Sequence, residues 1–378
     1  MVKDLLKIVI NYLLKIILLP FYLFPINNKR IVFMSYSGLQ YSCNPKYISD
    51  FLKDNHNDYE LVWVFKEPDK YFLDSSIKKV KYLSIRYLYT VITSKFYFSN
   101  NGFNHFFFIR KGQRFVQTWH GGGAYKKRRS LNQDKNALQR LLDNEHDRTI
   151  TDFISNSQYF TDYFIRDSVY KNNILNTGMP RNEFLLRNKT NEKFINNIKN
   201  NFENSLEKYY IILYAPTWRD DGSIYEFPDF NKILETVRAK FNKEPILLLR
   251  SHHCQELKND LSCNFSDVRT YPDMQELLLI SDMLISDYSS SIWDFSLLAK
   301  PCFLYAPDLK HYEDIRGFYT PIRSWGFDVC QTSEELYDAI RGFVPGIYRE
   351  NIEKMHRSFN SFENINSTSQ LLSKLGIN

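Results

Sequence analysis

At 378 residues the chain has the length of two ordinary domains, each with room for its own core. Hydrophobic residues make up 43% and charged residues 24%, a balance that excludes a disordered or fibrous chain. The net charge of +6 is unevenly spread: residues 1–30 hold five basic residues and one acid, residues 75–133 hold twelve basic residues and no acid, and the rest is net negative. Such polarity points to an anionic partner on one side, whether membrane, nucleic acid or phosphorylated substrate. The five cysteines (Cys43, Cys254, Cys263, Cys302, Cys330) are scattered without a CxxC pair, which reads as reduced cytosolic thiols and offers no metal-ligand spacing.

The first element is an apolar stretch over residues 5–25. No small-residue cleavage site follows it, so it does not read as a signal peptide. Lys7, Asn11 and Lys15 recur every fourth residue and would form one narrow polar stripe on a helix that Pro20 and Pro25 limit at its end. The pattern predicts an amphipathic helix lying in a membrane interface, with its lysines near lipid phosphates. A bilayer span and a helix packed on the protein's own body are the two other readings.

Beyond it, short β-rich runs alternate with helical patterns. Strands are predicted at 30–35, 61–65, 79–84, 95–99, 115–119, 153–156, 174–178, 209–215, 245–250, 283–286 and 301–305. Helices are predicted at 44–55, 159–170, 230–242, 273–281, 289–299 and 333–343. Near-continuous apolar runs such as Tyr210–Tyr214 read as strands buried on both faces of a parallel sheet. The alternation implies two doubly wound α/β domains. The boundaries read as a membrane-associating segment at 1–26, a Rossmann-like domain at 27–186, and a linker plus second Rossmann-like domain with a terminal helix at 187–378. The polar stretch 187–208 reads as a surface helix and linker. Two such domains facing each other would bind ligands in the cleft between them.

Four constellations follow predicted strands. In Gln117-Thr118-Trp119-His120, a histidine at a strand end precedes Gly121, Gly122 and Gly123, whose N–H groups could cradle a phosphate, and then Ala124 and the cations Lys126 and Lys127. Walker spacing is absent. Ala215-Pro216-Thr217-Trp218-Arg219 ends the strand 209–215. Leu249-Arg250-Ser251-His252-His253 pairs a fork-shaped donor with a histidine that could hold a phosphate oxygen or protonate a leaving group. Ser286-Asp287-Tyr288-Ser289-Ser290-Ser291 leads from a strand into a helical pattern, which suits anion binding, with Asp294 one turn on. Arg181, in Thr177-Gly178-Met179-Pro180-Arg181, is a fifth candidate. Each motif alone also fits an ordinary turn, cap or ion pair.

Taken in order, WHGGGAYKK, TGMPRNEFL, APTWRDD, LRSHH and SDYSSSIWDFSLLAKPCFLY, with YSCNPKYISDFL near the start, resemble the CDP-glycerol glycerophosphotransferase family over nearly all of residues 30–325. The resemblance implies a GT-B-like fold of two Rossmann-type domains. It also implies a peripheral membrane enzyme on the cytoplasmic face, building teichoic acids or related capsule polymers. Such an enzyme moves glycerol phosphate, or in relatives ribitol phosphate, from CDP-glycerol or CDP-ribitol to a lipid-linked acceptor and releases CMP, with no cofactor and no metal. By resemblance His120 is the general base. Arg181, Arg219, Arg250 and His252 would line the pyrophosphate, with Ser289, Ser290 and Ser291 presenting a helix start and Asp294 nearby. The loop departs from the family's usual Gly-Thr-Pro-Leu-Lys: Gly121-Gly122-Gly123-Ala124-Tyr125-Lys126 is one residue longer and lacks Thr and Pro. The compact length favours a priming or single-addition enzyme. A nucleotide-sugar transferase of the same fold and a non-catalytic membrane-binding protein are the alternatives. Nucleic acid is disfavoured, because no repeated aromatic–basic platform, helix-turn-helix or finger pattern occurs.

Overall fold

The computed structural model describes residues 2–56, 58–123, 126–127, 137–167, 170, 172–217, 219, 226–250 and 265–377. The chain forms two compact units. The first comprises Met1–His120, Arg128–Glu183 and Phe362–Asn378; the second comprises Gly121–Lys127 and Phe184–Ser361.

The first unit is built on a seven-stranded sheet: β1 (Asn27–Met34), β2 (Glu60–Phe65), β3 (Lys78–Lys81), β4 (Ser94–Ser99), β5 (Arg114–Gln117), β6 (Asp152–Ser155) and β7 (Asn173–Asn176). Their order is β3-β2-β1-β4-β5-β6-β7 and every pair is parallel. Residues of β1, β2 and β4 are buried on both faces, which is why their sequences lack polar alternation. Aromatic residues make up 16% of the chain, and many of them pack here. Phe33 stacks between Trp63 and Phe98 at 5.7 and 5.5 Å, and Trp63 stacks on Phe65 at 5.5 Å.

The second unit holds six parallel strands: β8 (Tyr210–Tyr214), β9 (Pro245–Leu249), β10 (Phe265–Asp267), β11 (Met283–Ser286), β12 (Cys302–Tyr305) and β13 (Asp328–Cys330). Their order is β10-β9-β8-β11-β12-β13. Strand order thus reverses between β1 and β4 in one sheet and between β8 and β11 in the other. Ligands of doubly wound sheets sit beyond the carboxyl ends of the strands at such reversals.

The linear division expected from sequence needs three corrections. Residues 362–378 pack on the first unit, not the second. Phe362 N donates to Asn156 O at 2.7 Å, Glu363 accepts from Met179 N at 2.9 Å and Asn182 Nδ2 at 2.7 Å, and Glu183 accepts from Thr368 N at 2.6 Å. Gly178, at φ +79°, permits this approach: a Cβ there would lie 2.6 Å from Ser367 Oγ and 2.9 Å from Phe362 O. The helix expected on the surface within 187–208 is present as Glu192–Asn200, but its Ile195 and Ile198 are buried in the second core. The helix expected at 159–170 is a single turn, Gln158–Phe160, continued by a wider π turn, Thr161–Ile165.

The N-terminal helix Val2–Ile17 ends before Pro20 and passes into a 3-10 turn, Leu19–Leu23. The polar stripe meets protein at its end rather than lipid: Lys7 is exposed and Asn11 half-buried, but Lys15 is 8% exposed and pairs with Glu145 of the helix Ala137–Arg148 at 3.1 Å. Leu5, Leu6, Val9, Ile10, Tyr12, Leu13, Ile16 and Ile17 are exposed. A narrow polar stripe with a carboxylate to meet it can dock on protein, which leaves the broad apolar face outward. No described helix is long and apolar enough to cross a membrane.

Candidate active site

His120 sits at the carboxyl end of β5. The chain turns there by placing Trp119 in the left-handed region, φ 53°, and Trp119 packs on Phe164 of the π turn at 4.9 Å. Thr118 N and Oγ1 both bond to Ser99 O, which ties the turn to β4. His120 Nδ1 lies 2.8 Å from the backbone oxygen of Asn100. A carbonyl only accepts, so Nδ1 carries a proton, and in the neutral ring Nε2 is the basic nitrogen. The ring stacks on Trp119 at 4.4 Å and lies 5.8 Å from Tyr36.

Two buried side chains hold this turn from behind. Asn44, fully buried, donates to Thr118 O at 2.9 Å and Trp119 O at 3.1 Å, and accepts from Arg181 N at 3.1 Å. Arg181, 4% exposed, donates through Nη1 to His120 O at 2.8 Å and to Cys43 Sγ at 3.5 Å. The guanidinium expected to line a pyrophosphate is instead buried against the backbone of the histidine turn. Of the residues after His120, Gly121 and Gly122 are buried and Gly123 is half-buried. Lys126 forms an antiparallel bridge with Phe318, and Lys127 N donates to Gly317 O at 3.1 Å, inside the second unit. Ala124 lies outside the described residues.

In the second unit, Arg219 follows β8 and is 2% exposed. Its Nε and Nη2 meet Asp308 at 2.6 and 3.0 Å, and its Nη1 meets Asp287 at 2.9 Å and Thr217 O at 2.7 Å. Tyr288 and Tyr312 stack on it at 4.8 and 5.1 Å. Burial works against its charge, yet the bonds to Asp308 and the field of Asp287 more than offset that and raise its proton affinity. Arg219 therefore differs from the expected open cation: it ties the ends of β8 and β11 to the loop after β12.

Arg250, half-buried at the end of β9, donates through Nη1 to Val268 O at 3.1 Å and Tyr271 O at 2.9 Å, partners without formal charge. Ser289 and Ser290 are half-buried. Ser291 opens the short helix Ser291–Ser296 and donates through its hydroxyl to Ser289 Oγ at 2.9 Å. Asp294 points elsewhere than expected: it is 2% exposed and accepts from Gln275 Nε2 at 3.0 Å. His252 and His253 lie outside the described residues, as do Cys254 and Cys263. Cys43, Cys302 and Cys330 are buried free thiols. His356, passed over in the sequence, bonds Ser296 Oγ through Nε2 at 2.9 Å, and burial pushes its pKa down to about 4. Among the described residues no cluster of His, Cys, Asp or Glu could hold a metal ion.

Asn44, Asp287 and Asp308 were missed from sequence. Asp287 had a signal: a buried arginine after one strand needs a countercharge, and an aspartate follows the neighbouring strand. Asn44 had only its place before a proline.

The family model described as CDP-Glycerol:Poly(glycerophosphate) glycerophosphotransferase matches residues 17–375. The chain belongs to that family. It is a CDP-glycerol glycerophosphotransferase with a GT-B fold. It is 32% identical over 379 residues to a teichoic acid poly(glycerol phosphate) polymerase of Bacillus spizizenii, covering 93% of each chain. It is 32% identical over 312 residues to a teichoic acid glycerol-phosphate transferase of Staphylococcus aureus, 78% of each. It spans 44% and 42% of the length of two further poly(glycerol phosphate) polymerases, from Bacillus subtilis and Staphylococcus epidermidis. The solved structure of the wall teichoic acid polymerase TagF covers 100% of this chain and 97% of its own, with a TM-score of 0.82 at 26% identity. A variant of that protein soaked with CDPG matches with the same score.

Proposed function

We propose that the protein transfers glycerol phosphate from CDP-glycerol to a lipid-linked acceptor, releasing CMP, in the assembly of a teichoic acid. The His120 turn carries this reading: a histidine at a strand's carboxyl end, its Nδ1–H engaged by Asn100 O, has Nε2 as its proton-accepting nitrogen. The acceptor hydroxyl oxygen bonds to the glycerol-bearing phosphorus as the bond from that phosphorus to the oxygen shared with the cytidylyl phosphate breaks. The hydroxyl proton passes to Nε2, and the electron pair leaves with CMP. Phosphoryl transfer rests on positioning and charge neutralisation, so no covalent nucleophile is needed.

Arg250, the hydroxyls of Ser289, Ser290 and Ser291, and His252 meet the donor's pyrophosphate. Gly121, Gly122, Gly123 and Lys126 belong to the phosphate-facing loop after the base. Arg181 and Arg219 act from behind as positioning residues. The proposal uses no metal and no cofactor, so transfer in excess EDTA should persist. A polymerase of nearly the same length is among the relatives, so compact length no longer argues for single addition.

The enzyme works as a peripheral protein on the cytoplasmic face of the cell membrane, where the outward apolar face of Val2–Ile17 meets the bilayer. Charging that face with Leu6→Glu and Leu13→Glu should abolish co-sedimentation with anionic vesicles. A donor screen with mass spectrometry of the product tests the reaction. CMP release and glycerol-phosphate addition are expected with CDP-glycerol. UDP release from a sugar donor would replace this reading with a glycosyltransferase, and turnover of CDP-ribitol alone would change the polyol.

A further inference from the structure

Where the first sheet reverses its order, the carboxyl ends of β1 and β4 open into a cavity of about 660 Å³. That volume falls within the usual range for small-molecule sites. Its floor is the loop after β4, with Asn101 and Asn104, and Ser37 after β1. One wall is the N-terminal helix, through Lys7 and Asn11, and the other is the helix Ala137–Arg148, through Gln139. The Lys15–Glu145 pair joins these two walls.

The lining is mixed: four amides and the hydroxyls of Ser37 and Tyr82 stand with Lys7 and His105 beside an apolar side that includes Phe103, Phe106 and Leu142. Asn104 is fixed by bonds from Tyr82 OH at 2.9 Å and to Tyr87 OH at 2.8 Å, and Asn101 by a bond to Ser37 Oγ at 3.1 Å. This chemistry suits a chain carrying one hydroxyl and one negative charge per repeat. The site also adjoins the base. Asn100, whose carbonyl holds His120, is the chain neighbour of Asn101, and Tyr36, beside the His120 ring, is the chain neighbour of Ser37. Asn100 is fully buried, and its Nδ2 has no hydrogen-bond partner among the described residues, a donor retained at a cost of about 1–3 kcal/mol. On the far side of the same helical wall lies the exposed apolar face of Leu6, Leu13 and Ile17.

We propose that this cavity is the acceptor site, holding the end of a glycerol-phosphate chain with its phosphodiester near Lys7 and its terminal hydroxyl toward His120. The proposal rests on the glycerol-phosphate reading above. The helix then does two things at once: its outer face meets the bilayer, and its inner face grips the polar head of a molecule anchored there.

Asn11→Trp and Gln139→Trp fill the cavity from opposite walls. A synthetic trimer of glycerol phosphate, titrated calorimetrically into the full chain without donor, is the probe. Its Kd should rise at least tenfold in both variants, while the Kd of CDP-glycerol, the partition into anionic vesicles and the urea midpoint stay near wild type. Unchanged trimer binding in either variant, no binding to the wild type, or a parallel loss of vesicle partition would overturn the proposal. The two readings fail separately. A wild type that binds the trimer but does not use CDP-glycerol removes the reaction and leaves the site. A wild type that transfers normally, with an unchanged acceptor KM in both tryptophan variants, removes the site and leaves the reaction.

Discussion

Two turns in this molecule share a sequence pattern and differ in chemistry. In sequence Thr118-Trp119-His120 follows β5 and Thr217-Trp218-Arg219 comes shortly after β8, so each pattern sets a basic residue beyond a parallel strand. His120 meets the carbonyl of Asn100, the indole of Trp119 and the nearby ring of Tyr36. Arg219 is enclosed by Asp287 and Asp308 and by two tyrosine rings, and its charge is fixed. The same local pattern thus leads in one unit to the residue proposed as the proton carrier and in the other to a structural tie. What separates them is the partner, and for Arg219 the partners lie 68 and 89 residues away.

The largest effect expected from this contrast is on rate. His120→Ala should lower kcat by about 10²–10⁴ while leaving the Kd for CDP-glycerol and the urea midpoint near wild type. A kcat within threefold of wild type would mean that the base lies elsewhere. Arg219→Ala should do the opposite. It strands two carboxylates, one of them 2% exposed, and removing one partner of a buried pair costs about 3–5 kcal/mol, read by urea unfolding. Arg219→Lys should recover little of this, because an ammonium cannot bond Asp308 through two nitrogens while reaching Asp287. If Arg219→Ala were fully stable but could not bind CDP-glycerol, the arginine would be a ligand contact and the contrast would collapse.

A second histidine sharpens the comparison. His356 is buried against Trp293 and Ser296, and burial lowers its pKa from 6.5 to about 4. Between those values the unfolded chain binds more protons than the folded one, so stability rises with pH through that window and is lost as pH falls from 6.5 toward 4. The full loss is about 3 kcal/mol. In His356→Phe this part of the pH dependence of the urea midpoint should vanish. His120, held by a carbonyl in a half-buried turn, is the histidine proposed for catalysis. His356, enclosed in the core, marks acid stability.

Long, doubly buried strands were legible because a continuous apolar run has few other uses; β1, β2, β8 and β9 all announce themselves. The short edge strands β10 and β13, Phe265–Asp267 and Asp328–Cys330, did not, because a three-residue strand that is only partly buried carries no such run. His120 was legible from its strand-end position and its glycines. The burial of Arg181, Arg219 and Asp294 was not, since local spacing says where a side chain starts but not which distant group meets it. The docking of the N-terminal polar stripe on protein at its end was hidden for the same reason: Glu145 lies 130 residues from Lys15.

The smallest effect concerns Asn44, and it distinguishes positioning from catalysis. Its amide bonds the backbone of Thr118, Trp119 and Arg181 and also meets Met179 Sδ at 3.5 Å, so it is placed to act on the reaction by holding the His120 turn, with Trp119 in its left-handed conformation. Asn44→Ala should lower kcat by about tenfold with little change in the KM for CDP-glycerol, and cost about 1–3 kcal/mol of stability from the buried groups left unpaired. The deciding measurement is the double variant. If Asn44 works through His120, adding Asn44→Ala to His120→Ala should cost stability but no further rate, because the group it aims is already gone. Additive rate losses would show that Asn44 serves some other part of the reaction, and the histidine turn would then be no better held than its counterpart at Arg219.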